Sequence, residues 1–282
     1  MLVGMSKENK TPSPIQFDIL EVTKYTDITP GMRRISFEGC KAVQNNSLSP
    51  GSHLKVFIPR AGQQKPVLPT VDESGCVVHP ADDQRATVRT YTLRNLNLET
   101  GEIDIDFVLH GDEGPASAWA EKARPGDFLG VAYRQGLAQY NADWYLFAGD
   151  ETALPAISGI IENLPASAKG VAFIEVVNAA EEQQIITESG IEINWLHRNG
   201  IPAGHDNKLI EAVLSVNVPE SSVKRLVWIA AEFVTTKELR NHFKETCQLD
   251  KTELHATAYW KLDMDEDKFH DLRHQQMAEN NQ

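Results

Sequence analysis

The pattern of apolar residues changes near Asn141, and this change constrains the fold more than any other feature of the sequence. Before it, short segments alternate apolar and polar residues, as in strands that are buried on one face. After it, continuous apolar segments alternate with helical segments, as in a parallel sheet covered by helices. The length of 282 residues allows two modest domains. The chain is therefore predicted to form an all-β domain followed by an α/β domain.

The first half contains short segments of strand character with turn signals between them. The predicted strands cover 17–25, 32–37, 53–58, 89–94, 103–109 and 128–132. Strands of this length and spacing predict a small antiparallel β-barrel. Residues 59–87 hold several prolines and glycines, so we expect a loop insertion there. Residues 1–14 are polar, and we expect them to form a frayed arm.

The second half alternates apolar strands with helices. Strands are predicted over 144–148, 171–177, 191–196, 225–231 and 255–260, and helices over 152–163, 208–216 and 235–247. This alternation predicts a parallel sheet. We therefore expect domains at 1–140 and 141–262, followed by a helical tail over 263–282.

Composition and charge exclude several classes of function. The formal net charge of -13 disfavours nonspecific binding to nucleic acid or to an anionic membrane. No apolar run approaches the roughly 18 residues of a spanning helix, and the N-terminus does not resemble a signal peptide. The three cysteines stand far apart without metal-binding spacing. We expect a cytoplasmic protein without membrane insertion, a nucleic-acid partner or a protein-bound metal.

The segment Arg89-Thr-Tyr-Thr-Leu-Arg94 places a cation, an aromatic ring and hydroxyl groups in one short strand. Alternation puts Arg89, Tyr91 and Leu93 on one face of this strand. An arginine fork suits a phosphate, a tyrosine ring can stack, and a threonine hydroxyl can donate to a ring nitrogen. A flavin dinucleotide needs these groups at its phosphate and ring ends. The segment alone is equally compatible with an ordinary strand that carries a surface ion pair.

Two later segments favour the flavin interpretation. Gly114-Pro115-Ala116-Ser117 opens a predicted helix, and a helix N-terminus presents free amides to an anion. Gly149-Asp150-Glu151-Thr152 follows the first predicted parallel strand, where α/β sheets bind ligands. Neither segment is diagnostic alone, because the first is compatible with a plain helix cap and the chain has no Gly-x-Gly-x-x-Gly.

In their order and spacing, the segments 89–94, 106–120 and 143–157 resemble the siderophore-interacting protein family. These proteins are FAD-dependent ferric-siderophore reductases of the ferredoxin-reductase superfamily, and the resemblance extends to Trp260. It implies a flavin-binding barrel, a nicotinamide-binding α/β domain and FAD held between them. It further implies that electrons pass from NADH or NADPH, or from a ferredoxin, through FAD to Fe(III) in a siderophore.

The resemblance also assigns roles to individual residues. Thr92 is expected at flavin N5 with Tyr91 against the ring, so these two are the catalytic candidates. The turn 114–117 is expected at the flavin pyrophosphate, and the turn after the first parallel strand at the nicotinamide cofactor. The cofactor contacts are expected from Arg89, Tyr91, Thr92, Arg94, Val108, His110, Gly114, Pro115, Ala116, Ser117, Gly149, Asp150, Glu151, Thr152, Ala231, Glu232 and Trp260. Lys55 and Lys261 are expected to form a basic patch that binds the ferric siderophore.

Two departures bear on the electron donor. Ala231 stands where the family has glycine, and its methyl group is expected to crowd the nicotinamide. The loop after the second parallel strand carries Glu181 and Glu182 and no cation, which favours the free 2′-hydroxyl of NADH over a 2′-phosphate unless Arg198 reaches it. Two alternative functions stay open. One is a flavin reductase or diaphorase with another acceptor, and the other is a siderophore-binding flavoprotein that does not turn over.

Overall fold

The structure is a computed structural model that describes residues 14–44, 47–111, 114–136, 140–265 and 268–269. The predicted arm lies, apart from Pro14, outside the described residues. The same holds for most of the predicted tail, in which Lys268 and Phe269 are helical.

The first half of the chain forms an antiparallel sheet of seven strands in the order β6-β3-β9-β1-β2-β8-β7. The elements of this half are β1 Ile15–Thr29, β2 Met32–Glu38, α1 Lys41–Gln44, β3 His53–Ile58, β4 Thr70–Val71, β5 Val77–Val78, β6 Thr87–Thr92, β7 Asn95–Asn97, β8 Glu102–Val108, α2 Pro115–Lys122 and β9 Phe128–Arg134. The sheet curls so that its two ends meet, and there the backbone N–H of Arg94, just after β6, donates to Asp104 O on β8 at 2.8 Å. The predicted antiparallel barrel is confirmed.

Alternation along β3 separates the inside of the barrel from its outside. Leu54, Val56 and Ile58 lie in the barrel core, so Lys55 and Phe57 between them face outward. The main cavity described below lies against this outer face of the barrel.

The predicted loop insertion 59–87 contains a small hairpin, in which β4 pairs with β5. Leu68 packs against Gly130, where an added Cβ would lie 2.3 Å from Leu68 Cδ2. Lys65 Nζ lies 3.9 Å from the centroid of the Phe128 ring. The insertion is therefore fixed to the outer face of β9.

The second half forms a five-stranded sheet in the order β12-β11-β10-β13-β14, with parallel pairing throughout. Its elements are β10 Trp144–Gly149, α3 Leu154–Ile161, β11 Lys169–Val176, β12 Gly190–His197, α4 Lys208–Leu214, β13 Arg225–Glu232, α5 Phe233–Glu245 and β14 Leu254–Trp260. Helix α3 packs in one core cluster, and α4 and α5 pack in another. The predicted parallel sheet is confirmed, and the structure shows helices on both of its faces.

The two sheets are joined by close packing and by a buried ion pair. The backbone is tight where α3 meets the barrel, since an added Cβ on Gly159 would lie 3.1 Å from Gly51 N and 3.2 Å from Arg94 O. The Arg94 guanidinium donates to both carboxylate oxygens of Glu162 at 2.7 Å. It also lies 3.6 Å from Asp106. These contacts hold the barrel and the α/β sheet together beside the cavity that is described below.

No helix in the described ranges has the length and apolar character needed to cross a membrane.

Candidate functional site

A cavity of about 940 Å³ lies between the barrel and the α/β sheet. Cofactor and ligand pockets typically measure roughly 300–1,000 Å³, so this cavity is large enough for a dinucleotide. Its barrel wall includes His53, Lys55, Thr90, Tyr91, Thr92, Asp106, Val108, His110 and Arg134, and its α/β wall includes Tyr140, Thr152, Pro155, His255, Thr257, Tyr259 and Trp260. The structure thus brings together seven residues that the sequence analysis named: Lys55, Tyr91, Thr92, Val108, His110, Thr152 and Trp260.

On the barrel wall, strands β3 and β6 present paired side chains. Thr92 lies opposite His53, and Thr90 lies opposite Lys55. Lys55 Nζ donates to Thr90 Oγ1 at 2.7 Å. Tyr91 is braced by Phe107, with ring centroids 4.5 Å apart. Both catalytic candidates, Tyr91 and Thr92, therefore reach the cavity from a rigid strand.

On the α/β wall, the edge strand β14 provides most of the lining. His255, Thr257 and Tyr259 alternate along it and share the face that lines the cavity. The His255 ring stacks on Trp228 at 5.5 Å and 14°. The sequence analysis named only Trp260 from this strand as a site residue, although the alternation of polar and aromatic residues was a usable signal.

The hydroxyl of Tyr259 is buried at this wall without a hydrogen bond of normal geometry among the described residues. It lies close to Thr92 of the opposite wall, and burial raises its pKa. A buried polar atom without a partner is unusual in a folded protein and indicates a missing group. A polar atom of a bound cofactor would satisfy it.

Two histidines that the sequence analysis did not name as site residues, His53 and His255, lie on opposite walls. Burial lowers the pKa of both imidazoles. The nearby Lys55 lowers the pKa of His53 further, and His53 does the same to His255. Both rings are therefore predominantly neutral near pH 7, and each can accept or donate one hydrogen bond in the cavity.

The carboxylate of Asp150, just after β10, positions Trp260 rather than lining the cavity itself. Trp260 Nε1 donates to Asp150 Oδ2 at 2.7 Å. The amide and hydroxyl of Thr152 donate to Oδ1 at 2.9 and 2.5 Å. Burial, with a smaller contribution from Glu151, raises the pKa of Asp150 to about 6. Asp150 thus fixes the orientation of Trp260 in the cavity wall without lining the cavity itself.

Two other predicted cofactor residues of the α/β domain, Glu151 and Glu232, are occupied by contacts within that domain. Glu151 binds both terminal nitrogens of Arg198 at 2.7 and 2.6 Å. Arg198 is buried and also reaches Glu175 at 3.2 Å, so the expectation that it swings toward a 2′-phosphate is not supported. Glu232 caps helix α5 by accepting from the amides of Val234 and Thr235.

Two small residues, Gly149 and Ala231, pack against protein rather than facing the cavity. An added Cβ on Gly149 would lie 2.6 Å from Ala153 Cβ and 2.7 Å from Ala230 O, so glycine allows α3 to pack closely here. Ala231 is 1% exposed and lies in the core on the side of α4 and α5. The expectation that its methyl group crowds the nicotinamide is wrong. The reason is alternation along β13, which turns Ala230 toward α3 and Ala231 the other way.

The turn before helix α2 offers backbone rather than side chains. Ala116 and Ser117 are buried, and Ser117 Oγ accepts from the amide of His110 at 2.9 Å. Gly114 packs against the His110 ring, where an added Cβ would lie 2.6 Å from Cε1. Pro115 occupies the start of the helix. This turn can therefore bind a phosphate through its backbone amides.

The remaining predicted cations are dispersed. Arg89 Nη1 donates to Val88 O at 2.7 Å. Arg94 is buried against Glu162, so its predicted contact with the cofactor is not supported. Lys261 Nζ lies 4.9 Å from the centroid of the Phe233 ring. The described cavity wall contains Lys55 but not Lys261, so these two lysines do not form the predicted patch on it.

The loop after β11 also differs from expectation. Glu181 accepts from the amide of Gly31 at 2.9 and 3.1 Å and from the hydroxyl of Thr29 at 2.5 Å. Glu182 lies 2.7 Å from His197 Nε2. Glu181 therefore holds the β1–β2 turn of the barrel and is not positioned to read the ribose of a nicotinamide dinucleotide. The argument for NADH over NADPH from the charge of this loop therefore has no support in the structure.

Comparison with known proteins covers nearly the whole chain. Residues 21–136 match the model of the siderophore-interacting FAD-binding domain, and residues 142–263 match that of the siderophore-interacting protein. The ferric vibriobactin reductase ViuB of Vibrio cholerae is 30% identical over 93% of this chain and 95% of its own length. The NADPH-dependent ferric-chelate reductase of Escherichia coli is 31% identical over 87% and 93%. The crystal structure of a siderophore utilization protein from T. fusca has a TM-score of 0.81 at 33% identity, covering 90% of this chain and 96% of that one.

Proposed function

Since this chain belongs to the siderophore-interacting protein family, we propose that it is an FAD-dependent oxidoreductase that reduces ferric siderophores. Residues 1–140 form its FAD-binding domain, and residues 141–262 form the domain that binds NADH or NADPH. The observation that carries this proposal is the cavity between the two sheets, which Tyr91 and Thr92 line on one side and Trp260 on the other.

The cavity fits FAD in its chemistry as well as in its size. Tyr91 supplies an aromatic face, and Thr92 supplies a hydroxyl on the same wall. The buried Tyr259 hydroxyl supplies a polar group that has no hydrogen bond of normal geometry among the described residues. When bound, FAD accepts a hydride from a nicotinamide and releases electrons one at a time to an acceptor.

The residues of the chain position the reactants and control the surroundings. Thr92 would donate a hydrogen bond to flavin N5, and Tyr91, which is braced by Phe107, would lie against the ring. The backbone amides at 114–117 hold the pyrophosphate. Asp150 fixes Trp260, which closes the cavity on the nicotinamide side. No acid, base or nucleophile is required from the protein for electron transfer itself.

The acceptor is Fe(III) in a siderophore, and it approaches at the end of the cavity marked by Lys55. A cation in a cleft attracts an anionic chelate and raises the encounter rate, more so at low salt. Fe(II) is bound less tightly by such chelates and is released. We place this reaction in the cytoplasm, with NADH, NADPH or a ferredoxin as the electron donor.

The test begins with acid extraction of the flavin from purified protein, which should release FAD. Holoprotein is then mixed anaerobically with NADH, NADPH or a reduced ferredoxin, and flavin bleaching identifies the donor. A ferric siderophore is added with an Fe(II)-specific indicator, and one Fe(II) should form per electron delivered. FMN, or no flavin, would contradict the cofactor. Bleaching without Fe(II) would indicate a flavin reductase or diaphorase, and no bleaching with any donor would indicate a binding protein.

A further inference from the structure

Two neighbouring residues of β14, Tyr259 and Trp260, both line the main cavity. Adjacent side chains of a regular strand point to opposite faces, so the alternation must break here. In the pairing of β13 with β14, Ala231 pairs with Ala258, and the next residue, Glu232, pairs with Trp260. Tyr259 is skipped, so the strand has a β-bulge at this residue. Bulges re-aim side chains and are common beside functional sites.

The ring of Tyr259 is held by packing, and its hydroxyl reaches the barrel wall. The ring meets the buried Trp228 edge to face, with centroids 6.4 Å apart at 85°. The Tyr259 hydroxyl lies close to that of Thr92, which is itself buried, and among the described residues it makes no hydrogen bond of normal geometry. Burial raises the pKa of Tyr259, so the hydroxyl keeps its proton at neutral pH and can both donate and accept.

The position expected for Thr92, at flavin N5, requires a hydroxyl that can change its role. N5 of an oxidised flavin accepts a hydrogen bond, and after reduction the same nitrogen carries a hydrogen and donates one. A hydroxyl beside it therefore donates before reduction and accepts afterwards. In the second arrangement its own proton needs another acceptor, because a buried donor without one costs free energy. The oxygen of Tyr259 is close enough to serve.

We propose that Tyr259 is a positioning residue that acts on the cofactor through Thr92. This inference rests on the proposed reductase function and adds a residue to it. Before reduction, the Tyr259 hydroxyl donates to Thr92 Oγ1, and Thr92 donates to N5. After a nicotinamide has delivered its hydride, both hydroxyls rotate, so that Thr92 accepts from N5 and donates to Tyr259. Neither hydroxyl loses its proton, so the rotation leaves the proton balance of the reaction unchanged.

The rotation makes Tyr259 more important to the reduced state than to the oxidised state. In the oxidised state the proton of Thr92 already has N5 as its acceptor. In the reduced state its acceptor is Tyr259, and without that hydroxyl a buried donor is left unsatisfied. Loss of the Tyr259 hydroxyl should therefore disfavour the reduced flavin.

The experiment measures the midpoint potential of FAD in the holoprotein by anaerobic titration against a reference dye. Tyr259→Phe keeps the ring and removes the hydroxyl. We expect the equilibrium to shift about tenfold toward the oxidised flavin, which lowers the two-electron potential by about 30 mV. In a Thr92→Val background the same substitution should cause no further shift, because Tyr259 acts only through the Thr92 hydroxyl.

Tyr145→Phe is the matched control for the loss of a buried tyrosine hydroxyl in the same domain. Tyr145 is 1% exposed, and its hydroxyl accepts from the amide of Ala142 at 2.9 Å and donates to Tyr140 O at 2.8 Å. This variant should lower the free energy of unfolding without moving the potential. The comparison separates a structural loss from an effect on the cofactor.

Two results would overturn the proposal. One is an unchanged potential in Tyr259→Phe. The other is an equal shift with and without the Thr92 hydroxyl, which would mean that Tyr259 contacts the cofactor directly. Purified protein without FAD would refute this proposal and the reductase function together, whereas holoprotein that forms no Fe(II) from a ferric siderophore would refute only the reductase function.

Discussion

The two walls of the main cavity use their predicted residues in different ways. On the barrel wall, Thr92 projects from the outward face of β6 into the cavity, and Tyr91, whose ring packs on Phe107 at the barrel core, also lines it. On the α/β wall, the turn after β10 contributes Thr152, while Asp150 and Glu151 are engaged with Trp260 and Arg198. The edge strand β14 provides most of the lining instead.

This difference has a physical cause. A barrel strand has one face in the core and one face outside, so its outward residues are available to a ligand without further support. A central parallel strand such as β10 is covered on both faces, and the charged groups at its end are partly buried. Buried carboxylates need partners, so these residues act on the cavity through the side chains they hold. The predictions below test this division.

The largest effect is expected from the ion pair that joins the two walls. Arg94→Leu leaves the carboxylates of Glu162 and Asp106 without this partner, and their side chains are 22% and 1% exposed. Removing one partner of a buried pair costs about 3–5 kcal/mol. The free energy of unfolding, measured by urea titration, should fall by about this amount.

The control for Arg94→Leu is Arg85→Leu, which removes an ion pair with Asp82 whose side chains are 54% and 90% exposed. An exposed pair contributes at most about 1 kcal/mol. If the two variants lose equal stability, the Arg94 pair does not hold the two walls together.

A smaller effect is expected from the second contact between the domains. Glu181→Ala removes charge-assisted hydrogen bonds to Gly31 and Thr29 and should lower the free energy of unfolding by about 1.5–3 kcal/mol. The ratio of kcat/KM for NADH and NADPH should stay unchanged, because this carboxylate holds the barrel. Glu182→Ala is the control, since its partner His197 lies in a more exposed pair. A shift of the ratio by more than about tenfold, equal to ~1.4 kcal/mol, would mean that Glu181 reads the ribose after all.

The pH dependence of stability should report on Asp150. Its pKa in the folded protein is raised to about 6 from an ordinary value of 3.8, so the folded state binds this proton more tightly than the unfolded state. Its contribution to stability is therefore fully present below the ordinary pKa and is lost as pH rises through about 6. Asp150→Asn removes this contribution.

The measurement is the difference in free energy of unfolding between the unaltered protein and Asp150→Asn from pH 4 to pH 8. As pH rises across this window, the free energy of unfolding of the unaltered protein should fall relative to that of Asp150→Asn. A flat difference would show that the carboxylate is not desolvated. Burial also raises the pKa of Glu175, to about 7. Because both proteins contain Glu175, its contribution to the pH dependence cancels in the difference.

The smallest effect is expected on the barrel wall. Thr92→Val keeps the shape of the side chain and removes one hydroxyl, which contributes about 1 kcal/mol as a hydrogen-bond donor. FAD should stay bound, while the rate of its reduction by a nicotinamide should fall about fivefold in stopped-flow absorbance. Thr87→Val, at the start of the same strand and opposite Ile58, is the matched control. Equal rates in Thr92→Val and the unaltered protein would remove Thr92 from flavin N5.

Local patterns in the sequence determined the type and order of the main elements. The predicted strands 53–58 and 255–260 match β3 and β14 to within a residue. Alternation and apolar runs are properties of neighbouring residues, so they can be recognised without a structure. The short β7 and the β4–β5 hairpin are not among the predicted strands, because two or three residues carry too little pattern.

Only the tertiary structure decided which polar residues face the cavity. Asp150 meets Trp260 across 110 positions of sequence, and Glu181 meets Gly31 across 150. Motif position brought Glu181, Ala231 and Lys261 near the expected site in the sequence, yet their side chains turn to the barrel, the core and Phe233. The direction of a side chain depends on strand alternation combined with the partners that folding brings to it. Those partners come from distant segments, and the pattern within one segment does not contain them.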